Sequence, residues 1–289
     1  MQIEEKIEKN EIPNKKRRIF LRVAYDGTNY HGWQLQPKEI TIESVLNQAI
    51  SQLTGEEIQV IGASRTDSGV HALGNIAVFD TCCRIPAEKF SYALNQRLPE
   101  DIVIQESREA ALDFHPRHCD CSKTYEYRIL NRKFPLPEYR NTAHFDYGRL
   151  DVEAMKQACS AFIGEHDFAA FCSAGAQVQT TVRTIYNLEI EVQQLGAVIG
   201  NSKEMSAAKD VPNQVITIRV QGNGFLYNMV RIIAGTLLEV GKGRISPDHI
   251  KEIISSCDRG KAGPTAPARG LRLVEIRIEQ DLKEVVSLQ

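Results

Sequence analysis

The chain has 289 residues, 42% of them apolar and 25% charged, which is ordinary for a globular protein and enough to bury a large core in one or two domains. A formal net charge of −2 excludes a bulk basic excess as the means of holding nucleic acid, so any such contact must come from Lys and Arg gathered on one face. Residues 1–14 lack an apolar h-region, no run approaches the length of a membrane span, and the seven cysteines lack regular spacing, which predicts a cytoplasmic chain with reduced thiols.

Residues 1–17 read as a polar tail. It runs into Lys15-Lys16-Arg17-Arg18, a basic cluster expected to be solvated. Ile19, Leu21, Val23 and Tyr25 then alternate with Phe20, Arg22 and Ala24, the period of a strand buried on at least one face, and Asp26-Gly27-Thr28 ends it. Trp33, the only tryptophan, reads as a core anchor. Thr41 caps a helix whose apolar stripe is Ile42, Val45, Leu46, Ala49, Ile50 and Leu53, stopped at Gly55. A strand is predicted over 57–61.

Between that strand and the next, over 74–79, lies Gly62-Ala63-Ser64-Arg65-Thr66-Asp67-Ser68-Gly69-Val70-His71-Ala72. Glycines near both ends of this polar loop allow sharp turns and the close approach of a ligand. A carboxylate, Asp67, beside a guanidinium, Arg65, can stay ionised and be aimed at a substrate. Spacing alone leaves a second reading open, an Asx-type turn with a surface ion pair.

Pro86 opens a helix to about Arg97 with Phe90, Ala93 and Leu94 on one face, and a strand follows over 101–107. His115, His118, Cys119 and Cys121 are zinc-type ligands, but their crowding without a second pair elsewhere matches no common site, so no metal is expected. The strand over 122–131 places Tyr125 and Tyr127 on one face, suited to packing or to base stacking. A connection rich in Pro, Asn and Arg runs to about Leu150. Asp151 then caps a helix with Val152, Met155, Cys159 and Phe162 inward, ended by Gly164. Strands over 181–193 and 214–221 flank a small, polar connection at 195–212.

The most apolar helix is predicted over 225–240, with Phe225, Met229, Ile232, Ile233, Thr236, Leu237 and Val240 at helical spacing. Arg231 sits inside it and must either snorkel to solvent or pair with a carboxylate. Ser246-Pro247 opens a further helix, and the last strand runs over 268–279. Each half thus reads strand, helix, strand, strand, helix, strand, with one extra helix before the final strand. That is the order of the ferredoxin-like βαββαβ unit, an antiparallel sheet with helices on one face. The expected fold is α+β, with the tail 1–17, a half over 18–112, a half over 113–289, and a cleft between or across their sheets.

The string from Ser64 to His71 resembles the signature of the A-type tRNA pseudouridine synthases, G-R-T-D-A-G-V-H. Ser64 stands where glycine is usual and Ser68 where alanine is usual; both are small. Other family stretches recur in order: Tyr25-Asp26-Gly27 is similar to Y-D-G, Gly32-Trp33-Gln34 to G-W-Q, and Phe114-His115 to the family's Phe-His. Lys123-Thr124-Tyr125-Glu126-Tyr127 is similar to K/R-x-Y-x-Y, Asp167 to Phe171 to D-F-x-x-F, and Phe225 to Arg231 to F-x-x-x-M-V-R. The resemblance implies that Asp67 is the essential catalytic carboxylate, that Tyr125 stacks in the uracil pocket with Leu271 against the ring, and that Arg231 reaches Asp67. Arg65 suits a phosphate contact or the space left by a turned-out base. It also implies two ferredoxin-like halves in one mixed or antiparallel sheet around a central active-site cleft. The implied partner is tRNA, modified at positions 38, 39 and 40 of the anticodon stem-loop by a homodimer, without metal or cofactor.

The chemistry agrees with that reading. Turning uridine into pseudouridine needs neither redox change nor phosphate energy, and no P-loop or dinucleotide fingerprint is found. An ionised aspartate can attack C1′ or C6, or remove a proton toward a glycal. A non-catalytic RNA-binding module would use Tyr125 and Tyr127, but not a carboxylate facing RNA, and the K/R-G-F/Y pattern is absent. A metal-dependent hydrolase built on Asp67 and His71 lacks a ligand set.

Overall fold

A computed structural model describes residues 15–175, 178–196 and 212–278. The first half contains β1 (Arg17–Tyr25), α1 (Ile42–Thr54), β2 (Ile61–Gly62), β3 (His71–Thr81), α2 (Phe90–Asn95) and β4 (Ile102–Ala110). The second contains β5 (Cys121–Arg132), β6 (His144–Asp146), α3 (Val152–Cys159), β7 (Gly164–Asp167), β8 (Val182–Gln194), β9 (Asn213–Gly222), α4 (Met229–Gly241), α5 (Ile250–Ser256) and β10 (Leu271–Ile278). The architecture is α+β.

The strands form one ten-stranded sheet in the order β4-β1-β3-β10-β5-β9-β8-β7, with β2 on β3 and β6 on β5. Most neighbours are antiparallel, but β10 runs parallel to β3 and β6 parallel to β5, so the sheet is mixed. The last strand joins the halves. β10 pairs along β5 from Leu271 to Ile278, and meets β3 only through Arg272↔His71 and Leu273↔Ala72. That short parallel seam lies just beyond the Asp67 loop.

The sequence explains the local elements. The odd positions of β1, Ile19 to Tyr25, are buried as their alternation requires. In α1, Thr41 and Ser44 form a reciprocal capping box and Gly55 closes the helix in the left-handed region, while Ile42, Leu46 and Ile50 point inward. Helix α4 is buried almost all round, as a core helix must be. One apolar core runs through both halves, from Leu21 and Leu46 to Ile233 and Leu237.

Several predicted elements differ, each for a physical reason. The strand over 57–61 shrinks to Ile61–Gly62. The N–H of Ile58 donates to Ser51 Oγ and that of Val60 to Asn47 Oδ1, so side chains of α1 take the bonds a ladder would have used. The helix predicted from Phe225 begins at Met229, because Asn228 is left-handed at φ 60° and breaks the first turn. Strands β6 and β7 were not foreseen, since three or four residues carry too little period to read. The basic run is not simply solvated. Arg18 clasps Asp80 of β3 with bonds of 2.6 and 2.9 Å, and Arg17 donates to the Ile85 carbonyl. Most of the connection at 195–212 lies outside the described residues.

Trp33 is fully buried, and a Cβ built on Gly62 would fall 2.3 Å from its ring. Gly62→Ala should therefore destabilise the fold by about 1–3 kcal/mol through overpacking. Urea denaturation with an unchanged slope and a lowered midpoint is the expected result, and an unchanged midpoint would refute the close approach.

Candidate active site

The loop from Ala63 to Val70 has few ladder bonds, so its backbone groups must be satisfied by other means. Asn75 of β3, fully buried, accepts from the Ser64 N–H at 3.2 Å and donates to the Ser64 carbonyl at 2.9 Å. The backbone N–H of Trp33 donates to the Thr66 carbonyl at 3.0 Å, and the Thr66 hydroxyl lies 2.7 Å from the Tyr25 hydroxyl. Gly69, at φ 75°, makes the turn that returns the chain to β3 and donates its N–H to the Tyr30 carbonyl. The second half grips the same loop. Arg117 Nε donates to the Gly62 carbonyl at 2.8 Å, and Lys123 Nζ to the Ala63 carbonyl at 3.0 Å.

This clamp puts the Asp67 carboxylate 3.5 Å from Arg231 Nη1. Arg231 is itself fixed by the Ala266 carbonyl and by Asn228 Oδ1, both at 2.7 Å. Burial pushes the Asp67 carboxyl above the usual carboxylate range, and the Arg231 guanidinium acts against it without cancelling it.

The carboxylate opens into a cleft of about 910 Å³ at the seam between the halves. Tyr125 from β5 and Leu271 from the start of β10 line it, both nearly buried, and exposed Arg65 lies at its surface. Tyr125 meets Phe225 edge to face at 5.2 Å and places its hydroxyl 2.8 Å from Ser64 Oγ. Burial pushes that phenol up to about 12. Tyr127 is packed under Gly270 with its hydroxyl on the Pro267 carbonyl. Asp67, Arg65, Tyr125, Leu271 and Arg231, named from separate parts of the sequence, are thus brought to one place, with Arg231 behind the carboxylate rather than on the cleft wall.

The residues that sequence reasoning missed are the supporting ones. Ser64, Asn75, Arg117, Lys123 and Asn228 hold the loop or its partners, and no spacing rule signals a side chain that serves a backbone carbonyl far along the chain. Around the zinc-like cluster, His115 and His118 stack on one another at 4.0 Å, and Cys119 turns to the Pro116 carbonyl. His71 is held by Asn141 through Nε2 at 2.8 Å, while Asp26 and the Gly27 N–H meet Nδ1. It is occupied as a link between halves.

A family model described as tRNA pseudouridine synthase matches residues 22–118 and 158–278, which takes in the Asp67 loop, Asn75, Arg117, Arg231 and β10. The chain belongs to that family. Similar family members extend over nearly their whole length. A tRNA pseudouridine synthase A of Thermoanaerobacter sp. (strain X514) is 48% identical over 261 residues, covering 90% of this chain and 99% of the relative. One from Acetivibrio thermocellus is 47% identical over 260 residues, with the same shares covered. A tRNA pseudouridine synthase A 2 of Clostridium tetani is 49% identical over 262 residues, covering 90% and 98%.

The raised Asp67 carboxyl carries a stability signature. The folded family member holds that proton more tightly than the unfolded chain does. The group therefore favours folding at low pH, and that contribution is lost as pH rises from the unfolded value to the raised folded one. Asp67→Asn should match or exceed the wild-type melting temperature at pH 7, with the difference shrinking below about pH 4. A variant melting several degrees lower at pH 7 would contradict the sign.

Proposed function

We propose that the chain isomerises uridine to pseudouridine at positions 38, 39 and 40 of the tRNA anticodon stem-loop, with Asp67 as the essential carboxylate. One observation carries the reading. Among the described residues, Asp67 is the single carboxylate lining a cleft that also presents Arg65, Arg117, Lys123 and Arg183. Such a wall suits a phosphodiester chain, and a carboxylate in its midst would repel RNA unless it had chemistry to perform. The relatives named above support the same reaction.

In this reading the bond between N1 and C1′ breaks, the uracil turns, and C5 bonds to C1′; the C5 proton is lost and N1 gains one, so composition is unchanged. The ionised Asp67 attacks C1′ or C6, or takes the proton that leads to a glycal. Tyr125 and Leu271 flank the uracil once it is turned out of the stack, and Arg65 contacts phosphate or fills the vacated space. No metal ion or cofactor enters these steps. The enzyme works as a homodimer on one tRNA in the cytoplasm. Among the described residues no helix is long and apolar enough to cross a membrane.

The halves over 18–112 and 113–289, following the tail 1–17, are read as two ferredoxin-like units. Strand order β4-β1-β3 with β2 on β3, and β10-β5-β9-β8 in the other half, supports this: each has its fourth strand beside its first and its second beside its third. β7 is then an added edge.

Two experiments test the site. Asp67→Ala should abolish pseudouridine formation in tRNA incubated with the purified protein while tRNA binding persists, and appreciable turnover would defeat the assignment. Arg231→Met removes the group that opposes the upward push on Asp67. The acid limb of the pH–rate profile should move to higher pH and the rate at pH 7 should fall. An unmoved limb would show that the ion pair does not govern ionisation.

A further inference from the structure

Ser64 is a point at which this chain departs from the family signature, and its side chain is engaged. Both peptide groups of Ser64 are bonded to buried Asn75, so its backbone is fixed on the sheet. Its Oγ lies 2.8 Å from the Tyr125 hydroxyl, with both residues buried, at 5% and 7% exposure. Ser64 is the one hydrogen-bond partner of that hydroxyl among the described residues. The Tyr125 ring is thus held at two places, edge to face against Phe225 and at its tip by Ser64. A glycine at this position would leave a buried hydroxyl without its protein partner and free the tip of the ring.

We propose that Ser64 is a positioning residue that acts through Tyr125, fixing the plane on which the uracil lies while it is detached from the ribose. The proposal rests on the reading of Tyr125 as the stacking ring. Between breakage of the N-glycosidic bond and formation of the C5 bond the base is free of the ribose and has to turn, so the surface it lies on helps to keep it in line. A tilt of its platform therefore bears on the chemical step more than on capture of the RNA. Ser64 acts here through the placement of the ring, since its Oγ bonds the tip of Tyr125.

The test is a double-mutant cycle of Ser64→Ala and Tyr125→Phe on an anticodon stem-loop RNA, with melting temperatures recorded for each protein. Loss of one hydrogen bond corresponds to about a fivefold fall in rate, so Ser64→Ala should lower kcat by about that factor and leave KM within about twofold. In the Tyr125→Phe background the same change should cost less than about twofold, because the partner hydroxyl is already gone. Wild-type turnover by Ser64→Ala, or an equal penalty in both backgrounds, would overturn the proposal and leave Ser64 as a part of the loop backbone. Should Ser64→Ala fail to fold, Ser64→Gly, the residue usual in the family, takes its place in the cycle with the same criteria. Tyr125→Leu separates the levels: wild-type turnover by that variant would remove the stacking reading itself, and with it this proposal, whatever Ser64 does.

Discussion

Asp67 has to be withdrawn from water and yet able to carry charge, and the rest of the site answers those opposed demands. Burial favours the protonated carboxyl; a guanidinium at 3.5 Å favours the carboxylate. Arg231 can serve because its other contacts, the Ala266 carbonyl and Asn228 Oδ1, are neutral acceptors that aim the charge without neutralising it. Its place in the first turn of α4 adds a second influence. Asn228, Met229 and Val230 line the same cleft as Asp67, so the N-terminal end of α4, the positive end of its dipole, opens onto that cleft. An arginine in that first turn is disfavoured by the same dipole, and the acid in front of it offsets the cost.

A carboxylate poised in this way is useful only if its loop does not move. Misplacement by an ångström can cost a catalytic group most of its effect. The loop meets this requirement with bonds drawn from both halves. Trp33, Tyr25, Tyr30 and Asn75 hold it from the first half, and Arg117, Lys123 and Tyr125 from the second. The same contacts close the molecule. The parallel seam between β3 and β10 is only two residue pairs long, and the loop that precedes it adds the cross-half bonds that so short a seam lacks. Fold and site are in this sense one structure, and the buried polar network beneath Asp67 serves both.

Much of this was legible in the residues themselves. The alternation of Ile19, Leu21, Val23 and Tyr25 encodes a strand, because a pleated backbone exposes every second side chain. Thr41 and Gly55 bound α1, because a cap and a left-handed residue are local requirements. The Asp67 loop, the Tyr125 strand and the Arg231 helix each carry a contiguous motif, so the candidate site was named before its parts could be seen to meet. What stayed hidden depended on distance or on competition. The strand over 57–61 lost its ladder to Asn47 and Ser51, a choice between two donors' partners that composition does not reveal. Asn228 broke a helix whose apolar spacing continued without a fault.

The sequence by itself therefore determined the periodic elements and the chemical groups available, since both are properties of neighbours along the chain. Tertiary structure alone decided that β10 would close the sheet between the halves. It also decided that Ser64 would meet a hydroxyl 61 residues away, and that burial at Asp67 would outweigh its arginine. Those outcomes depend on how much water each group loses when distant surfaces pack, and that quantity exists only once the chain has folded.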